Sequence, residues 1–159
     1  GEKLRDEMQH LLDHDIKEKG EYQFTTALEN MRKKGALFVP GQVKEWLDCG
    51  NKENMLLTNQ RYLEFIKGQK LVSAKATLIN SVLLPPVFID DNVRIENSVV
   101  GPHVSVGAGT TIDNSRISNT IIQKNCTLKA AHLKDSLLGN FVNFEGKSAN
   151  LDLGDYCSI

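Results

Sequence analysis

Few side chains in this sequence have the type and spacing that chemistry needs. Asp48 stands in the run Trp46-Leu47-Asp48-Cys49-Gly50, after a strand-like segment and just before a helical pattern that Asn51 caps. A carboxylate there can offer hard oxygen to a cation, beside a helix N-terminus that attracts phosphate. The plainer reading is a loop aspartate interacting with the helix dipole. His10 and His14 are spaced i, i+4, the geometry of a metal clip, although surface histidines on a helix are far commoner. His103 and His132 fall in a region of short repeats, where an imidazole could deprotonate an acceptor for acyl transfer. Exposed corner positions are the plainer account of both. The run GPHVSVGAG from Gly101 to Gly109 is dotted with glycine but has no Arg or Lys to clamp phosphate, so its glycines read as corner residues. Cys49, Cys126 and Cys157 are odd in number, widely spaced and without a CxxC pair, which is neither a disulfide framework nor a zinc motif.

Composition narrows the partners. The 159 residues include 19 basic and 20 acidic side chains, for a formal charge of −1, and 6% of residues are aromatic. That balance argues against nucleic acid, which needs a basic face and stacking platforms. No apolar run approaches the roughly 18 residues that span a bilayer, and no signal peptide is visible. With the cysteine usage, this predicts a cytoplasmic protein with no membrane partner. The leading Gly1 reads as a cloning remnant, with native sequence expected upstream.

The elements that must position these groups fall into two halves. Ile89, Ile95, Val100, Val106, Ile112, Ile117, Ile122, Leu128, Leu133 and Leu138 follow one another at steps of five or six residues. Neither the 3.6 period of a helix nor the two-residue alternation of a hairpin fits such steps. A coil with three short faces, one inward aliphatic per face and about 16 to 18 residues per turn does fit. Asn97, Gly101, Gly107, Gly109, Asn114, Asn119, Asn125 and Gly139 recur near the expected corners, where left-handed backbone is wanted. The Asn-Ser pairs 97–98 and 114–115 can bond between coils. The predicted fold is mainly β: a left-handed parallel β-helix over residues 87–159, with 69–86 as linker and first irregular coil. The left hand is taken from the hexapeptide pattern, not from the spacing. Phe141, Val142 and Phe144 are expected to close its C-terminal end or to pack on a neighbouring subunit.

Residues 1–68 read as a small α/β remnant of a larger domain. A helix is expected from Lys3 to about Lys19 with Gly20 beyond its end, and a second from a Thr25 or Thr26 cap to Lys34, stopped by Gly35. Leu37–Val39 and Gln42–Leu47 read as strands, and Lys52–Ile66 as a third helix. Two strands cannot form a sheet of their own.

The blocks Gly20–Leu28 (GEYQFTTAL), Trp46–Gly50 (WLDCG) and Asn51–Asn59 (NKENMLLTN), followed by hexapeptide repeats, resemble the C-terminal part of sugar-1-phosphate nucleotidyltransferases of the glucose-1-phosphate thymidylyl- and uridylyltransferase kind. The resemblance covers nearly the whole chain. It implies an upstream domain carrying a Gly-rich nucleotide loop, a basic residue and a metal-binding carboxylate, none of which occurs here. The reaction it implies is attack of a sugar-1-phosphate oxygen on the α-phosphate of a nucleoside triphosphate, with pyrophosphate leaving. Charge accumulating on phosphoryl oxygens calls for Mg²⁺ and a basic clamp. Asp48 matches the family's second Mg²⁺ carboxylate, a role for the full-length enzyme, with no cofactor expected for this chain alone. Glu21 and Thr25 lie in the block that packs near the sugar, although capping and packing account for them equally well. Thr26 replaces the family's usual Asp, and Trp46 reads as core. The β-helix is expected to dock the catalytic domain and to form a homo-oligomer, a trimer, leaving this chain inactive by itself.

Two rival readings use the same half. In one the β-helix is an acyl-CoA-dependent acyltransferase, but such enzymes usually extrude a long loop from a coil, and the ladder from Val87 to Asn140 has none. In the other it is purely an assembly module.

Overall fold

A computed structural model describes residues 1–146 and 152–157. The chain divides into two compact units, 1–45 and 46–159.

The first unit is a pair of packed helices, α1 (Glu2–Asp13) and α2 (Phe24–Lys33). Leu11 and Ala27 are buried, and so is Glu7, whose Oε2 meets Lys34 Nζ at 2.6 Å. That contact holds the Glu7 carboxyl below its usual range. α1 stops earlier than the expected Lys19, because Asp15 takes a left-handed backbone (φ 50°). Gly20 (φ 86°) instead serves a tight turn in which Glu18 and Glu21 exchange backbone hydrogen bonds. α2 begins at a Gln23 cap without a side-chain bond, so neither Thr25 nor Thr26 caps it, and Gly35 (φ 89°) ends it as expected. The strands expected at Leu37–Val39 and Gln42–Leu47 do not form. Leu37 is 89% exposed and Val39 78%, and a strand has nothing to pair with here. What precedes the β-helix is therefore helical, with an exposed apolar segment after α2, and not α/β.

The second unit is a β-helix of about four turns. One face stacks β1 (Thr77–Ile79), β4 (Arg94–Glu96), β7 (Thr111–Asp113), β9 (Thr127–Lys129) and β11 (Asn143–Glu145), all parallel. The second stacks β2 (Val82–Leu83), β5 (Val99–Val100) and the first halves of β8 (Arg116–Ile122) and β10 (His132–Leu138). The third stacks β3 (Val87–Ile89), β6 (Val104–Val106), the second halves of β8 and β10, and β12 (Asp152–Leu153). The first coil thus lies inside the stretch read as linker and irregular coil.

The register explains the ladder. Ile95, Ile112, Leu128 and Phe144 align on the first face, Val100, Ile117 and Leu133 on the second, and Ile89, Val106, Ile122 and Leu138 on the third. All ten aliphatics of the sequence ladder are at most 2% exposed. Leu128→Ala should therefore cost about 2–5 kcal/mol, seen as a lower midpoint in urea unfolding, because stacked coils leave little room to collapse onto the hole.

Corners bend and coils are held together by three devices. Asn97, Asn114, Asn119 and Asn125 take φ between 42° and 57°, as their type allows. The serines that follow two of them turn inward: Ser98 Oγ accepts the Ser115 N–H at 2.9 Å, and Ser115 Oγ accepts the Ala131 N–H at 3.0 Å, linking successive coils. Gly107 is not a bend glycine; a Cβ there would lie 2.8 Å from the Gln123 carbonyl carbon, so it marks close approach of coils. Val142 and Phe144 fill the last described coil, whereas Phe141 is an exposed corner stacked on Tyr156 with ring centroids 4.8 Å apart.

One helix, α3 (Lys52–Ile66), packs on the third face. It spans the predicted residues and has the predicted Asn51 cap, whose Oδ1 accepts the Asn54 N–H at 2.8 Å. Outward residues on that face run Phe88, Ser105, Ile121, Leu137, and α3 lays Leu56 and Leu63 against the face, both buried. Each buried leucine contributes about 1.5–3 kcal/mol to holding the helix there.

Candidate functional site

Asp48 sits at the entrance to α3, and its two oxygens differ. Oδ1 accepts the N–H groups of Cys49 (2.8 Å) and Gly50 (3.2 Å). Oδ2 accepts a long contact from Asn54 Nδ2, 3.4 Å. Thr58 Oγ1 donates to the Asp48 carbonyl at 2.7 Å, tying the loop to the second turn of the helix. One oxygen is thus committed to shaping the turn and the other faces outward. A shallow cavity of about 310 Å³ opens there, lined by Trp46, Leu47, Asp48, Asn54, Leu57 and Thr58. The N-terminus of α3, with its partial positive charge, lies alongside.

This arrangement fits Mg²⁺ in part. A hard cation takes one or two protein carboxylates and completes its shell with water and phosphate oxygen. Asp48 supplies one oxygen of the right kind, next to a helix end that favours phosphate. Among the described residues no cluster of three or more His, Cys, Asp or Glu side chains could hold a metal ion.

The other expected residues do not join it. Glu21 and Thr25 belong to the helical unit, both exposed, with Glu21 Oε2 accepting from Gln23 Nε2 at 3.3 Å. Trp46 is 83% exposed, contrary to its reading as core. His14 Nδ1 lies 3.0 Å from the His10 carbonyl oxygen, so one of its ring nitrogens is already engaged. His132 is exposed on a coil, as the plainer reading has it.

His103 is placed differently. Its Nε2 lies 2.9 Å from Glu64 Oε1 on α3, and its carbonyl oxygen accepts Asn59 Nδ2 at 3.2 Å. Ser105 Oγ donates to Asn59 Oδ1 at 2.6 Å. This polar clasp between α3 and the coils escaped the sequence reading. Its signal was available in the doublets Ile121-Ile122 and Leu137-Leu138: where the coil needs one inward aliphatic, a second, outward one marks a face that something must cover.

His103 first, then Lys67, holds the Glu64 carboxyl below its ordinary value. The folded protein therefore prefers the carboxylate more than the unfolded chain does. The resulting stabilisation is present above the ordinary glutamate pKa and is lost as pH falls through the depressed one. Acid titration followed by NMR should show α3 amides losing protection in that range before those of the coils, and Glu64→Gln should remove that pH step.

Comparison with known proteins divides along the chain. Residues 64–132 match the family described as GlmU-like, C-terminal hexapeptide. A glucose-1-phosphate thymidylyltransferase of Streptomyces griseus is 28% identical over 131 residues, covering 70% of this chain and 37% of that protein. One of Streptomyces antibioticus is 27% identical over 141 residues, covering 78% of this chain and 39% of that protein. The chain thus spans less than two-fifths of the length of these relatives. No helix among the described residues is long and apolar enough to cross a membrane.

Proposed function

We propose that this chain is the C-terminal part of a sugar-1-phosphate nucleotidyltransferase, with Asp48 as one of the Mg²⁺ carboxylates of the complete enzyme. The observation that carries this reading is the extent of the similarity. The Streptomyces antibioticus alignment covers 78% of the chain, more than residues 64–159 can supply, so it reaches into the helical part. A hexapeptide module borrowed for acyl transfer would match over its coils alone.

The exposed apolar segment supports the same reading. Leu37, Val39 and Val43 are exposed, as are Trp46, Leu57 and Phe65 on and before α3. Exposed apolar surface on this scale marks a partner, and here the partner is the upstream catalytic domain. In the complete enzyme a phosphate oxygen of the sugar-1-phosphate attacks the α-phosphorus of the nucleoside triphosphate. The bond from that phosphorus to the bridging oxygen breaks, and pyrophosphate leaves. Mg²⁺ when bound offsets charge on the phosphoryl oxygens. Asp48 orients one hard oxygen, and the N-terminus of α3 faces phosphate. The β-helix docks the catalytic domain and assembles copies into a homo-oligomer, a trimer in this reading.

The test is release of pyrophosphate from glucose 1-phosphate and dTTP or UTP with Mg²⁺ by the protein joined to its native upstream sequence, alongside sedimentation of that protein. Nucleotide-sugar formation by a trimer supports the proposal. Stabilisation of this chain by acetyl-CoA, with no pyrophosphate released, overturns it.

A further inference from the structure

We infer that Asn59 is a positioning residue that sets the place of Asp48 by fixing α3 on the β-helix. The inference rests on the reading of Asp48 as a metal carboxylate, and it gives the β-helix a part in the site itself. Two sets of contacts meet on adjacent residues of one helical turn. Thr58 Oγ1 holds the Asp48 carbonyl at 2.7 Å, and Asn54 Nδ2 reaches its Oδ2. Asn59, next in sequence, uses both ends of its amide on the coils, donating to the His103 carbonyl oxygen and accepting from Ser105 Oγ.

The apolar contacts of α3 cannot supply this precision. Leu56 and Leu63 are buried where α3 packs on β6, β8 and β10, and such contacts are non-directional. A carboxamide that must satisfy a carbonyl and a hydroxyl together is directional. The contact of His103 with Glu64 lies a turn further on and secures the far end of the helix. Position therefore passes from the coil at 103–105, through Asn59 and Thr58, to the loop at 48–50.

The chain is small enough for NMR, so the test needs no catalytic domain. Asn59→Ala, Ser105→Ala and the double variant are compared by backbone order parameters. Cys49 and Gly50 amides, held by Asp48, should fall from about 0.85 to below about 0.6 in each single variant. Ile112 and Leu128 should stay rigid, and the double variant should be no worse than the singles, since both remove one clasp. Unchanged order parameters at Cys49 and Gly50 in Ser105→Ala, the gentler variant, overturn the positioning role. Asp48→Asn in the protein joined to its native upstream sequence separates the two ideas: native pyrophosphate release there sinks the metal reading, while the order parameters still judge Asn59.

Discussion

Gly101→Ala is expected to lower the stability of the β-helix by about 3–5 kcal/mol, enough to leave much of the protein unfolded at 37 °C. Two independent costs converge on this position. The backbone sits at φ 117°, a region that side-chain-bearing residues avoid. A Cβ there would stand 2.0 Å from the Leu84 carbonyl oxygen and 2.8 Å from Val87 Cγ1. The first contact is with backbone, which cannot rotate away, so relief requires moving two coils apart. Leu84 N–H donates to Val100 O at 2.9 Å and joins those two coils, and Gly101 N–H donates to Ile117 O at 2.8 Å and joins the second of them to the next. The measurement is the urea midpoint of Gly101→Ala against Gly146→Ala. Gly146 also has a positive φ, 153°, but open space where a Cβ would go. A Gly101 variant that unfolds at the same midpoint as the Gly146 variant would show that the coils part at little cost.

The contrast between those glycines also explains what could be read from the sequence. The inward ladder was legible because its period depends only on coil geometry, and one aliphatic per face is the least that fills the core. The cap of α3 was legible because Asn51 acts on Asn54, three residues away. Neither needs knowledge of distant neighbours. Leu37–Val39 and Gln42–Leu47 carry a strand pattern, but a strand exists only against a partner, and none is present among the described residues. Trp46 reads as core for the same reason: its size asks for burial, and the described residues leave it 83% exposed. The clasp of Asn59, His103 and Ser105 joins residues some 44 to 46 apart in sequence, and only the coil register shows that they meet. At the candidate site, Asp48 was visible as a residue but not as a geometry. Nothing in WLDCG says that one carboxylate oxygen is consumed by the turn and the other held by a long contact to Asn54.

That asymmetry leads to the largest expected effect on activity. In the complete enzyme proposed above, Asp48→Asn should reduce turnover about 10²–10³-fold, the loss of some 3–4 kcal/mol of charge stabilisation at the phosphoryl oxygens. The substitution is nearly silent for the fold. An amide oxygen in place of Oδ1 still accepts the N–H groups of Cys49 and Gly50, and the backbone carbonyl of residue 48 still accepts Thr58 Oγ1. What changes is Oδ2, where a neutral NH₂ replaces an anionic oxygen that held only a 3.4 Å contact to Asn54. An amide nitrogen cannot ligate Mg²⁺, and its hydrogens point at the place where the cation would stand. Stability should fall by no more than about 1 kcal/mol, because the turn is kept while the long Asn54 contact and the negative charge beside the start of α3 are lost. The measurement is pyrophosphate release across a Mg²⁺ titration at saturating substrates, with urea unfolding of the same samples. Raising Mg²⁺ should recover part of the lost rate if Asp48 binds the cation, because mass action can compensate for a weakened site. An Asp48→Asn enzyme that turns over at the native rate, or one whose loss follows a loss of folding, would leave Asp48 as the residue that shapes the start of α3 and nothing more.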